Sequence, residues 1–204
     1  YNAAKQKANQ AINTPDPDDA ECKAAYAELE RAWLDLVVLN PAPMKAGYYR
    51  IVSALSGFYE QQGVEKAMYG TFEGNMKWKD LDGQDACMGW EFIDRQDGSW
   101  IMRNMGTQTF VTDMGVLGND STEKAVTVSL LEHGDFNIKF NNNSMHAQDH
   151  YSGGGQQGNI ISWGGGTGSP SAWFIRPIPE DTAAMFVEIG QQSKQDADSV
   201  SYTH

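Results

Sequence analysis

The 204-residue chain is poor in three things, and each shortage removes a class of explanation. It has two cysteines, Cys22 and Cys87, too few for a disulfide framework and not spaced as a zinc or redox motif, so two ordinary thiols are expected and one bridge between them stays open. It is short of bases: 15 Lys and Arg stand against 27 Asp and Glu, and a formal charge of −12 repels phosphate backbones and anionic headgroups. Neither nucleic acid nor membrane insertion is therefore expected. No apolar run approaches the roughly 18 residues of a membrane-spanning helix, and the opening "YNAAKQKANQ" lacks the apolar core of a secretory signal. Because the chain opens inside a helical pattern and closes on the polar "QQSKQDADSVSYTH", it reads as a piece of a larger protein whose leader would lie in the missing part.

Catalytic signatures are missing too. There is no nucleophile elbow, phosphate-binding glycine motif, zinc signature or triad, and the "GGG" runs at 153–155 and 164–166 do not open a helix that could hold phosphate. "DLDGQD", Asp80 to Asp85, has the alternating carboxylates of a calcium loop without its distant bidentate Glu, so a solvated hairpin turn is expected. The sequence predicts no enzyme, no cofactor and no metal.

What is there is a 40% hydrophobic chain able to bury one good-sized core. Residues 3–40 are helical in character. Asp18 serves as N-cap with Glu21 three residues on, Tyr26, Leu29, Trp33, Leu36 and Val37 share one face, and Pro41 follows the end. A shorter helix over 3–12 and the turn Thr14-Pro15-Asp16-Pro17 complete a predicted helical hairpin.

From Gly47 the pattern changes to short alternating runs broken by Gly, Asn and Asp. "GYYRIVSALSGFY", "GSWIMRNMGTQTFV" and "DFNIKFNNNSMHA" superpose: an aromatic at Tyr49, Trp100 or Phe136 is followed two residues later by Ile51, Met102 or Ile138. In the second halves Trp78 goes with Trp90 and Trp163 with Trp173, while the second half of the middle unit, "KAVTVSLLEHGDFN", has no Trp. "RQDG" and "EHGD" are matching tight turns between units. Trp90, Trp100 and Trp173 are predicted core residues; Trp78 and Trp163 could face either the core or a surface groove.

Residues 46–179 resemble a ricin-type β-trefoil, most clearly in "MHAQDHYSGGGQQGNIISWGGGTGSPSAWFI", with its Gly-rich loop, Gly-Asn pair and closing strand. The implied fold is mainly β: a β-trefoil over 46–179 with an N-terminal α-helical hairpin over 1–43 and a C-terminal extension or linker over 180–204. The hairpin plus trefoil also resembles modules of exported multi-domain proteins of Bacteroides-like bacteria. The resemblance implies a non-catalytic, lectin-like module that binds a glycan weakly and contacts neighbouring domains of its own chain, in the periplasm, at the cell surface or outside the cell. The sugar site it implies is Asp149, His150, Tyr151, Asn159 and Trp163. The match has gaps: the family's early aspartate falls near Gln61 in the first unit, near Thr112 in the second and near His146 or Ala147 in the third, and the glutamine of the closing motif is Ser171, with Gly89 at that place in the first unit. His146 therefore has a structural alternative. The competing reading from another class is a structural spacer or protein-interaction domain whose trefoil has lost its sugar sites.

Overall fold

A computed structural model describes residues 44–54, 65–119, 123–131, 134–148, 157–166 and 168–201, together with Gln6, Ala24, Ala25 and Glu28. The chain forms two compact units, Tyr1–Met44 and Lys45–His204. In the first, Gln6, Ala24, Ala25 and Glu28 are helical, and the rest of the predicted hairpin lies outside the described residues.

Among the described residues, the second unit has twelve strands in three sets of four. The first set is β1 (Gly47–Ser53), β2 (Lys66–Gly70), β3 (Met76–Asp80) and β4 (Gly89–Asp94). The second is β5 (Trp100–Asn104), β6 (Phe110–Asp113), β7 (Val116–Gly118) and β8 (Thr127–Leu130). The third is β9 (Phe136–Phe140), β10 (Asn143–Ala147), β11 (Gln157–Trp163) and β12 (Trp173–Pro177). The outer strands of each set close a six-stranded antiparallel ring: β1 pairs β4, β4 pairs β5, β8 pairs β9, β9 pairs β12 and β12 pairs β1. A Trp100–Val126 bridge closes the remaining side. This bridge joins β5 to the residue just before β8, so the described strands are linked all the way around the ring.

The inner strands of each set form a hairpin, and the three hairpins meet over one end of the ring. β11 pairs β3 through Asn159 and Lys77, and Asn75 of the β2–β3 turn bridges Val116 of β7. Gly115 packs so tightly on the third hairpin that a Cβ there would stand 2.3 Å from the Ile160 carbonyl oxygen. A barrel capped by three hairpins from three sequential units is the β-trefoil arrangement.

The repeat visible in sequence sets the core. Tyr49, Trp100 and Phe136 lie at one position, each opposite the closing strand of its own unit: Tyr49 faces Trp90, Trp100 bridges Val126 and Phe136 faces Trp173. Ile51, Met102 and Ile138, two residues on, are fully buried because strand side chains alternate between faces. Trp90 and Trp173 are also fully buried, and Val126 fills their place in the middle unit. Trp100 is only partly buried and meets Phe92 edge-on at 6.4 Å. With Trp90 in register with Trp173, the counterpart of Ser171 is Met88 and not Gly89. Likewise, Val52–Ala67, Arg103–Phe110 and Lys139–Ser144 pairing places Tyr69, not Gln61, opposite Thr112 and His146 in the repeat. The tight turns match as expected: Arg95 N–H bonds to Ser99 O, and Leu131 N–H to Asp135 O.

"DLDGQD" does not turn a hairpin. It leads from β3 into a 3-10 turn, where Asp85 caps Cys87 N–H, while Asp80 pairs with Lys66. After β12 comes α1 (Glu180–Ser201), a 22-residue helix in the stretch predicted as extension or linker. Glu180 and Asp181 in its first turn complement the helix dipole. Ala183 and Phe186 bury against Ala86, Met105 and Ile178.

Candidate functional site

The third hairpin presents a polar and aromatic face outward. Ser144 pairs with Trp163 and His146 with Ile161 across β10 and β11, and side chains two apart on a strand share a face. Trp163 and His146 are diagonal neighbours on that face, and their rings stack with centroids 4.8 Å apart and planes 23° from parallel. Although so close to its partner, Trp163 is 45% exposed. A large indole left in solvent beside a fixed ring is a candidate platform, since its negative face attracts the polarised C–H groups of an apolar ring surface.

The platform is anchored from below. His146 Nδ1 lies 2.8 Å from the hydroxyl of Ser171, which is wholly buried. The Ser171 carbonyl accepts the Asn137 amide at 2.9 Å, and the same amide donates to Ser144 Oγ at 3.0 Å. The Ser171 hydroxyl holds the imidazole under Trp163. Burial pushes the His146 pKa below the ordinary histidine value, favouring the neutral ring. Beyond β11, Gly165 lies along the indole, where a Cβ would stand 2.6 Å from Nε1, so a side chain at this position would have to displace the ring.

Farther along the same face, Asn159 Nδ2 donates to Gln148 Oε1 at 3.4 Å. This amide pair is exposed on the Asn159 side and sits one strand from Lys77. Amides supply both donors and acceptors, which is what hydroxyl-rich ligands need.

Register distinguishes this face from its counterpart in the first unit. Met68 pairs with Trp78, whereas its counterpart Met145 pairs with Ser162, so Trp163 falls one residue beyond the place of Trp78. A shift of one residue sends a strand side chain to the opposite face. Trp78 is accordingly fully buried and donates its indole N–H to Gln148 O at 2.9 Å. The first-unit counterpart of Trp163 is Lys79, which lies 4.5 Å over the ring of Tyr69, the counterpart of His146, and pairs with Asp85. In the middle unit the same two places hold Gly118 and Thr112.

Of the predicted site residues, the structure places Asn159 and Trp163 on one face of β11, and His146 of the neighbouring β10 shares that face. Asp149, His150 and Tyr151 lie outside the described residues. Sequence reasoning missed Gln148, which the His-x-Gln alternation of "MHAQ" could have put beside His146, and it did not foresee the anchoring role of Ser171. An open groove of about 710 Å³ between α1 and the ends of β1 and β12, lined by Tyr48, Tyr49, Glu180, Val187 and Glu188 among others, includes none of these residues. Among the described residues there is no cluster of three potential metal ligands, and no helix long and apolar enough to cross a membrane. Cys87 is a free thiol, and burial pushes its pKa up to about 11.

No protein-family model matches the chain, and no curated protein sequence matches it. Solved structures do. The chain is similar to a mosquitocidal holotoxin with a TM-score of 0.53 and 11% identity, over 69% of this chain and 18% of that one. It is also similar to the designed threefold symmetric protein ThreeFoil with a TM-score of 0.50 and 16% identity, over 65% of this chain and 99% of that one. This chain thus spans under a fifth of the holotoxin chain but nearly all of ThreeFoil. At such identities the likeness is one of fold, and it agrees with the three sets of four strands.

Proposed function

We propose that the protein is a non-catalytic carbohydrate-binding module whose site is the outward face of β10 and β11. The observation that carries this is the Trp163 indole, exposed yet held in place by stacking on a histidine that a buried serine anchors. Fixing a ring before the ligand arrives lowers the ordering cost of binding. A pyranose would lay its apolar face on Trp163, with Asn159 and Gln148, farther along the strand, hydrogen-bonding the hydroxyls of a later sugar of the same chain. Asp149, His150 and Tyr151, which follow Gln148 in the sequence, would contribute side chains to the same site in this reading.

A single shallow site buries little surface, so binding is expected to be weak and to gain strength from several copies or neighbouring modules. The wider setting, an exported bacterial protein of several domains, rests on the resemblance of the helical hairpin and trefoil to such modules.

A glycan array followed by calorimetry tests the proposal. Trp163→Ala should abolish binding to whichever glycan the array selects, and Asn159→Ala and Tyr151→Ala should weaken it, with the far-ultraviolet circular dichroism unchanged. Silence across plant, host and bacterial glycans would sink it and leave the spacer or protein-interaction reading.

A further inference from the structure

The strip of outward side chains does not end at the amide pair. Asn159 is directly opposite Lys77 on β3, and Lys77 is opposite Tyr69 on β2, so the face runs Trp163, Asn159, Lys77, Tyr69 across the junction of the third and first hairpins. Directly opposed residues share a face and lie within side-chain reach. Trp163 is four residues along β11 from Asn159, about 13 Å at the rise of an extended strand, and Lys77 is about 5 Å farther across the sheet. A monosaccharide on the indole cannot span that distance; an oligosaccharide can.

Lys77 differs from the basic residues around it. Lys66 pairs with Asp80, Lys79 with Asp85, Arg103 with Glu91 and Arg176 with Glu65. Lys77 has no carboxylate or hydrogen-bond partner among the described residues, although the chain carries 27 acidic side chains against 15 basic ones. Glu73 is close enough for its carboxyl to respond to Lys77, but that effect is the smallest of those acting on it. Half-buried and directly opposite both Tyr69 and Asn159, Lys77 shares the face of the Asn159–Gln148 amide pair, and Glu73 acts on it without forming an ion pair.

We infer that this face recognises an acidic oligosaccharide, one sugar stacked on Trp163 and the anionic group of a later sugar held by Lys77 beside the Asn159–Gln148 amides. The inference rests on the carbohydrate-binding proposal and narrows its ligand class. A charge-assisted hydrogen bond from an ammonium to a carboxylate or sulfate is about twice as strong as a neutral one. Because the protein's net charge repels anions, selection of an acidic glycan must come from this local cation.

The test is an array of matched neutral, uronate-bearing and sulfated oligosaccharides, followed by calorimetry of the strongest binder with wild type, Lys77→Gln, Trp163→Ala and the exposed control Lys194→Gln. Acidic glycans should bind in preference to neutral ones of the same backbone. Lys77→Gln should weaken them about tenfold, with Lys194→Gln unchanged, and binding should fall between 50 mM and 500 mM salt as screening tightens. The uronate and sulfate arms identify which anion is used. Neutral glycans bound as well as acidic ones, with Lys77→Gln silent and Trp163→Ala still disabling, would overturn the inference and leave the sugar-binding proposal standing. No glycan bound at all would overturn both.

Discussion

Gly190 of α1 lies against the Met105 carbonyl so closely that a Cβ at that position would stand 2.0 Å from its oxygen. Two opposing effects meet here. Ala is preferred over Gly inside a helix by about 1 kcal/mol, so propensity alone predicts that Gly190→Ala stabilises. The contact is with backbone, and the Met105–Gly106 segment is itself pinned, since a Cβ on Gly106 would meet Cys87 N at 2.6 Å. Neither side can yield cheaply. Gly190→Ala should therefore destabilise the protein by about 1–3 kcal/mol in urea unfolding, the usual cost of overpacking. Gly168→Ala, with nothing within 4 Å, should change stability by less than about 0.5 kcal/mol. A Gly190→Ala variant as stable as wild type would show that α1 does not pack here.

The two closing tryptophans make a second expectation. Trp90 donates its indole N–H to Met68 O at 3.1 Å, and Trp173 donates to Met145 O at 3.0 Å, the same bond in two units. Both rings are fully buried. Replacing either by Phe keeps an aromatic ring but leaves a buried carbonyl without that donor, at a cost of about 1–3 kcal/mol. Because the environments are equivalent, Trp90→Phe and Trp173→Phe should lose similar amounts of stability with unchanged denaturant slopes. A large loss at one and none at the other would break the threefold equivalence.

These bonds also mark how much of the fold the sequence displays. A barrel position must be apolar whatever else happens, so Tyr49, Trp100 and Phe136 announced the repeat, and Trp90 and Trp173 announced two of its closings. The third closing was hidden because Val126 fills it with a small residue. The helix α1 was hidden for another reason: its buried face is Ala183, Phe186 and Gly190, and small residues gain burial by close backbone approach without writing a strong apolar stripe. At the candidate site, Trp163 looked like a copy of Trp78, and only strand register distinguishes an exposed platform from a core ring. Ser171 could not be read at all, because its role depends on an imidazole 25 residues away in sequence.

His146 gives the site a pH dependence whose sign can be worked out. Burial holds its pKa below the ordinary histidine value of about 6.5, so in acid the unfolded chain takes up its proton first. Stability from the neutral, Ser171-anchored ring is thus fully present above about pH 6.5 and declines as pH falls from there through the folded-state value. His146→Gln keeps a side chain able to bond Ser171 but removes the titration. The stability difference between wild type and His146→Gln, measured by urea unfolding, should accordingly move against wild type between pH 7.5 and pH 5. Nuclear magnetic resonance titration of the ring should give a pKa below 6.5. A ring titrating at or above that value, or a difference that does not change with pH, would mean that the imidazole is not held in the desolvated position under Trp163.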